Sequence, residues 1–128
     1  MKLQVGDLIS FQRTFTKEDV FLFSNISGDK GIHHREPDEL NRYVVQGLLT
    51  ATLPTKIGGD YNVLARHMNF EFIRPVYTED TITCEVKVDE AITTKNNHLH
   101  IETTFICTNQ VDEKVLIGGF SGLIKNGN

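Results

Sequence analysis

The stretch GLLTATLPTKIGG, Gly47–Gly59, decides the fold. It is apolar or small on every side until Lys56. A helix that lacks a polar face is a buried helix. At about 13 residues it is shorter than the ~20 that cross a bilayer, so it belongs inside a protein core. Pro54 has no backbone N–H to give, which predicts a kink within it.

Downstream of this helix the chain is strand-like. In residues 61–73, Leu64, Met68, Phe70 and Phe72 share one face. In residues 81–88, Ile82, Cys84, Val86 and Val88 alternate with Thr83, Glu85 and Lys87. In residues 99–107, Leu99, Ile101, Thr103, Phe105 and Cys107 line one side. A period of two marks half-buried antiparallel strands. Lys95-Asn96-Asn97 and Asn109–Glu113 supply turns, and a last strand covers about residues 114–124.

Upstream of the buried helix, residues 7–15 (DLISFQRTF) read as a first strand. Thr16 is a natural N-cap, and Asp19 takes the reciprocal position of a capping box. Phe15 and Val20 hold the staple positions on either side of that cap. The predicted helix runs to about Ser27, buries Phe23 and Ile26, and stops at Gly28. Residues 28–46 read as irregular, with Pro37 as a breaker. The whole is a single α+β domain over residues 1–128. The alternation alone fits other α+β folds; the all-apolar helix favours an antiparallel sheet curled around it, the hot-dog arrangement.

The bulk numbers limit the function classes. With 128 residues, 39% hydrophobic and 23% charged, the chain has the composition of an ordinary soluble domain. A net charge of −4 and the lack of any Lys/Arg cluster argue against nucleic acid. The N-terminus shows no export signal and no segment has membrane-span length, so the expected location is the cytoplasm. Cys84 and Cys107 have no CxxC partner and read as buried free thiols, with a disulfide between them as the alternative.

One polar stretch stands out. SGDKGIHH, Ser27–His34, puts a carboxylate, two glycines and two adjacent histidines into eight residues. Read alone, Ser-Gly-Asp after a helix is a C-terminal turn. Its flanks change the reading. FTKEDVFLFSNISGDKGIHH (residues 15–34) resembles the start of MaoC-like dehydratases and (R)-specific enoyl-CoA hydratases, whose pattern is close to F-[ST]-x-x-D-[IV]-x-x-F-x-x-[LI]-[ST]-G-D-x-N-P-x-H. QGLLTATLPTKIGG (residues 46–59) is similar to the family's H-G-M-L-x-x-S-L segment. FEFIRPVYTEDTITCEVKV (residues 70–88) resembles its F-x-x-P-V-x-x-G-D-T strand pair. Together these span about residues 15–88. Gly31-Ile32 stands where the family has Asn-Pro, and Gln46 where a His is common.

The resemblance implies a hot-dog enzyme that interconverts trans-2-enoyl and (R)-3-hydroxyacyl thioesters of coenzyme A or acyl carrier protein. It implies no metal and no redox cofactor. Asp29 and His34 fall on the family's catalytic pair. Asp29 is then the general base toward water, and His34 holds the same water and relays a proton. Burial at the edge of an acyl channel is expected to desolvate Asp29. The Gly47 N–H, at the positive end of the helix, is the candidate oxyanion donor; a simple packing glycine is the alternative. His33 and Gln46 are expected just behind the site. Thr55 is placed there too, where relatives often carry a Ser; a buried hydroxyl bonding back along the helix is the alternative. Relatives pair their sheets edge to edge, which implies a homodimer.

Two other classes remain open. A hot-dog thioesterase also needs a carboxylate and an oxyanion donor, but usually carries the carboxylate on the central helix, and Gly47–Gly59 has none. A non-catalytic acyl-thioester binding module is favoured by the loss of Asn-Pro. Weaker signals read as structural. His98, His100 and Glu102 share a strand face beside an Asn-Asn turn, a solvated edge rather than a metal site. GGFSG, Gly118–Gly122, is not a nucleophile elbow because Ser121 is one position off.

Overall fold

The period-two segments form one antiparallel sheet. The structure, a computed structural model, describes residues 2–127. Strands β1 (Leu8–Thr14), β2 (Leu64–Phe72), β3 (Thr81–Thr93), β4 (Leu99–Thr108) and β5 (Lys114–Ile124) lie in the order β1-β3-β4-β5-β2. Every neighbouring pair is antiparallel. On β3 and β4, Ile82, Cys84, Val86, Val88, Ile101, Phe105 and Cys107 point to the core, as the alternation requires. Cys84 lies opposite Cys107 across the β3–β4 ladder, and both are buried free thiols. The hydrogen bond with Cys84, then burial, pushes the Cys107 thiol up from its ordinary value.

The glycines of the GGFSG run are required by close approach. A Cβ on Gly118 would sit 2.0 Å from the Asn69 carbonyl oxygen, and one on Gly122 would sit 2.2 Å from that of Leu64. The backbones of β2 and β5 meet there too tightly for any side chain.

Helix α1 (Lys17–Ser27) begins as its sequence dictates. The Thr16 side chain accepts from the Asp19 N–H at 3.2 Å, and the Asp19 carboxylate accepts from the Thr16 N–H at 3.0 Å. Such a cap is worth about 1 kcal/mol. The helix ends at Gly28, whose φ of 77° is in the left-handed region. The buried face differs from the expected one. Val20 and Ser24 are buried, Phe23 is partly so, and Ile26 is exposed. Ser24 is drawn inward by a hydrogen bond from Gln46.

The central helix is broken once. α3 (Gly47–Thr50) and α4 (Thr52–Asp60) are separated only by Ala51, whose φ of −66° and ψ of −10° still lie near the helical region. The cause is Pro54. Its ring has no N–H for the Thr50 carbonyl four residues back, so the ladder opens just past Thr50. Leu49, Ala51, Leu53 and Ile57 face the core, while Leu48, Thr55 and Gly59 are exposed. Burial on all sides, as the sequence suggests, is therefore not achieved by one chain. One flank of the helix stays open.

Residues 28–46 are not wholly irregular. They contain a single helical turn, α2 (Ile32–Arg35), and then a loop closed by Asp38 and Arg42. The Arg42 backbone N–H and then its guanidinium hold the Asp38 carboxyl below its usual range. The Arg42 guanidinium also stacks on the Tyr77 ring, 3.9 Å from its centroid. Val44 bridges to Tyr77, and the Val45 N–H donates to the Val76 carbonyl at 2.7 Å. These ties fix Val44 beside α2.

Candidate active site

Asp29 is placed by the end of α1. Its N–H donates to Ser27 Oγ at 3.0 Å, and its Oδ1 accepts from the Gly31 N–H at 3.3 Å. That leaves Oδ2 free to face inward. Gly31 then caps the α2 turn, and the His34 N–H donates to the Gly31 carbonyl at 2.9 Å. Ile32 occupies the first helical position, the one that best accepts a proline. The turn therefore survives the replacement of Asn-Pro by Gly31-Ile32.

His34 is 4% exposed. Its Nδ1 lies 2.5 Å from the Val44 carbonyl oxygen. A carbonyl only accepts, so Nδ1 carries a proton and donates it. When the ring is neutral, Nε2 then holds the lone pair. It sits 3.5 Å from Asp29 Oδ2. This is too long for a strong direct hydrogen bond, and it leaves room for one water oxygen in contact with both. The His33 ring packs edge-on against His34 with centroids 4.0 Å apart, and His33 itself is exposed.

Asp29, His33, His34, Gly47 and Thr50 line one cleft of ≈ 480 Å³. Val44, Phe72, Arg74 and Pro75 also border it. The structure thus brings together the expected acid–base pair, the helix glycine and His33. The desolvation expected of Asp29 is not met in the single chain, where its side chain is 51% exposed. The carboxylate lies at the mouth of the cleft and the imidazole lies inside.

Two expected neighbours stand elsewhere. Gln46 does not line the cleft. It is fully buried, and its Nε2 donates to the Val20 carbonyl and to Ser24 Oγ, each at 2.9 Å. It ties the start of the central helix to α1. Thr55 is exposed and borders a separate hollow with Pro54, Gly58, Met68 and Phe120. Its hydroxyl donates back to the Ala51 carbonyl at 3.1 Å, so it is a helix-bonded threonine outside the site.

Residues not singled out in the sequence also enter. Phe72 lies over Gly47, because a Cβ on Gly47 would come within 2.8 Å of the Phe72 ring. Arg74 reaches the cleft, but its Nη1 donates to the Lys114 carbonyl and its Nε lies 3.7 Å from the Glu113 carboxylate. Thr50, one turn into the helix, is the buried hydroxyl of the cleft. The face that His100 and Glu102 share is the outer side of β4, an inner strand of the sheet and not an edge. His100 pairs with Glu102 at 3.4 Å, and among the described residues no group of three potential metal ligands occurs.

Solved structures share this architecture. The (R)-hydratase from A. caviae involved in PHA biosynthesis is 23% identical, with a TM-score of 0.82 over 93% of this chain and 95% of that one. A MaoC-like dehydratase from Rhodospirillum rubrum is 14% identical, with a TM-score of 0.77 over 95% of this chain and 92% of that one. The C-terminally truncated HadBC (3R-hydroxyacyl-ACP dehydratase) complex from Mycobacterium tuberculosis is 15% identical, with a TM-score of 0.67 over 97% of this chain and 100% of the matched chain. The chain has the hot-dog fold of these MaoC-like proteins. No protein-family model matches it, and no curated protein does.

Proposed function

We propose that this chain is a MaoC-like hydratase/dehydratase. It interconverts trans-2-enoyl and (R)-3-hydroxyacyl thioesters, with coenzyme A or acyl carrier protein as the acyl carrier. One observation carries the reading. The His34 ring is locked by Val44 so that Nε2 faces Asp29 Oδ2 at 3.5 Å, in the cleft that Gly47 also lines. The shared fold supports it.

The chemistry rests on two acceptors for one water. Water gives one hydrogen bond to His34 Nε2 and one to Asp29 Oδ2, and its free lone pair attacks C3. Asp29 takes the proton, and His34 holds and relays protons at Nε2. As the C2–C3 π bond breaks, charge flows to the thioester oxygen. The Gly47 N–H stabilises that charge at the start of the helix. A proton returned to C2 completes the addition. No electron leaves the system, so the reaction requires no redox cofactor, and the only coenzyme is the one carried by the substrate. The same steps in reverse dehydrate the 3-hydroxyacyl thioester.

The thioesterase reading finds no support on the helix. Asp60, its one carboxylate, is exposed and paired with Lys56, and it lies outside the cleft. Crotonyl-CoA separates the readings. Loss of the enoyl absorbance without free thiol is the expected result. Thiol release from a saturated acyl-CoA would mean a thioesterase. Neither reaction would leave a binding module.

The working unit proposed is a cytoplasmic homodimer. Among the described residues no helix is long and apolar enough to cross a membrane. Strand β2 forms one edge of the sheet, and its Leu64, Met68 and Phe72 are exposed. The open helix flank, with Leu48, adds to this apolar surface. An unpaired apolar edge is an aggregation hazard unless a partner covers it. A second copy also supplies the cover that half-exposed Asp29 lacks. Light scattering at micromolar concentration should give twice the 14.5 kDa chain mass. A monomeric mass would contradict the assignment.

A further inference from the structure

Three threonines sit in the central helix region, and they behave differently. Thr52 Oγ1 donates to the Leu49 carbonyl at 2.5 Å. Thr55 Oγ1 donates to the Ala51 carbonyl at 3.1 Å. Both make the usual bond of a helical threonine to its own preceding turn. Thr50 does not. It is 2% exposed, and its Oγ1 has no hydrogen-bond partner. A buried hydroxyl left unpaired is destabilising, so its isolation needs a reason.

Its location supplies one. Thr50 lines the cleft that holds Asp29, His34 and Gly47. It stands three residues after Gly47, and side chains of a helix lean toward its N-terminus. The Thr50 side chain is therefore directed back over the turn that begins at Gly47.

We propose that Thr50 Oγ1 is a second hydrogen-bond donor to the thioester oxygen, beside the Gly47 N–H. This rests on the hydratase reading and deepens it. The substrate carbonyl then satisfies a polar group that the protein's own atoms leave unpaired. Two donors on one oxygen favour the enolate over the ketone-like ground state, because the bonds strengthen as negative charge develops. Thr50 and Gly47 would thereby fix the thioester, while Asp29 and His34 act at C3 and C2.

Thr50→Val tests this, since it swaps the hydroxyl for a methyl and keeps the branched shape. With crotonyl-CoA, kcat should fall about tenfold or more and KM should change little, since the bond is strongest in the transition state. Thr50→Ser, which restores the hydroxyl, should recover most of the loss. A second readout is independent of turnover. The carbonyl stretch of bound butyryl-CoA, seen by difference infrared spectroscopy, should be shifted down in the wild type and shifted less in Thr50→Val. Thr50→Ala serves if the valine variant does not fold. A wild type that hydrates crotonyl-CoA beside a Thr50→Val variant of equal kcat, or of unchanged carbonyl frequency, would overturn this role alone. The hydroxyl would then be a buried packing group of the helix with no part in the reaction. A wild type that neither hydrates crotonyl-CoA nor shifts the butyryl-CoA carbonyl would remove the hydratase reading, and this inference with it.

Discussion

Asp29→Asn is expected to cut crotonyl-CoA hydration by about 10²–10⁴-fold, the range for a positioned acid or base. Stability should barely change. The variant is isosteric, and an amide oxygen can still accept the Gly31 N–H that Oδ1 now accepts. In the chain itself the carboxylate is half exposed, and in the proposed dimer an uncharged amide is no harder to cover than a carboxylate. What disappears is the ability to take a proton from water. His34 requires a more careful substitution than alanine, because its Nδ1 anchors it to the Val44 carbonyl. Asn places an amide N–H near the Nδ1 position and has nothing at Nε2. His34→Asn should therefore lose activity on the scale of Asp29→Asn with the smaller stability cost. The double variant should be little worse than either, since both groups act on one water. His33→Ala should cost far less, because His33 is exposed and meets the site only through the His34 ring. A severe His33→Ala beside a mild His34→Asn would move the assignment by one residue. Full activity in Asp29→Asn would reduce the Ser27–His34 stretch to a surface turn.

Much of the fold is legible in the sequence. Strands β3 and β4 are written in strict alternation, and the sheet buries the side that alternation names. The α1 start is written in Thr16 and Asp19, whose reciprocal bonds are local and need no tertiary context. Asp29 and His34 come side by side because a cap, one helical turn and the Val44 carbonyl place them, and all three are local. The expectations that fail are those that depend on distant chain. Ile26 reads as a core residue by period, but it is 83% exposed in the single chain. Gln46 looks like a site neighbour from its place before Gly47. Its amide instead turns to α1, where Val20 O and Ser24 Oγ need a donor. Spacing from Gly47 along an ideal helix points to Thr55. The opening at Ala51, caused by Pro54, starts a second segment on which Thr55 borders the hollow beside β2. Thr50 leaves one faint signal in the sequence, a hydroxyl within the first turn after the glycine of an otherwise apolar run.

Gly47→Val should lower kcat/KM by about two orders of magnitude or more in a folded protein, the loss expected when an oxyanion donor is blocked. Two routes lead to that loss, and the structure separates them. The direct route places the valine methyls over the N–H, where the thioester oxygen must approach. The indirect route runs through Phe72. A Cβ at position 47 would come 2.8 Å from Cε1 and 3.0 Å from Cζ of that ring, so the ring must yield. Phe72 is 52% exposed on edge strand β2 of the single chain, so it can yield without opening the chain's own core, and the fold should survive. The backbone raises no objection, since Gly47 does not have a positive φ. Phe72→Ala alone should retain substantial activity, because it removes an apolar cover and no hydrogen-bond donor. Adding Phe72→Ala to Gly47→Val then decides the cause. If the valine blocks the N–H itself, the double variant stays as inactive as Gly47→Val. If activity returns, the damage lay in the displaced ring, and Phe72 controls entry to the cleft. Full activity in a folded Gly47→Val would place the oxyanion donor elsewhere. Thr50 would then be the first hydroxyl to examine, since its side chain lines the same cleft and its buried hydroxyl has no partner.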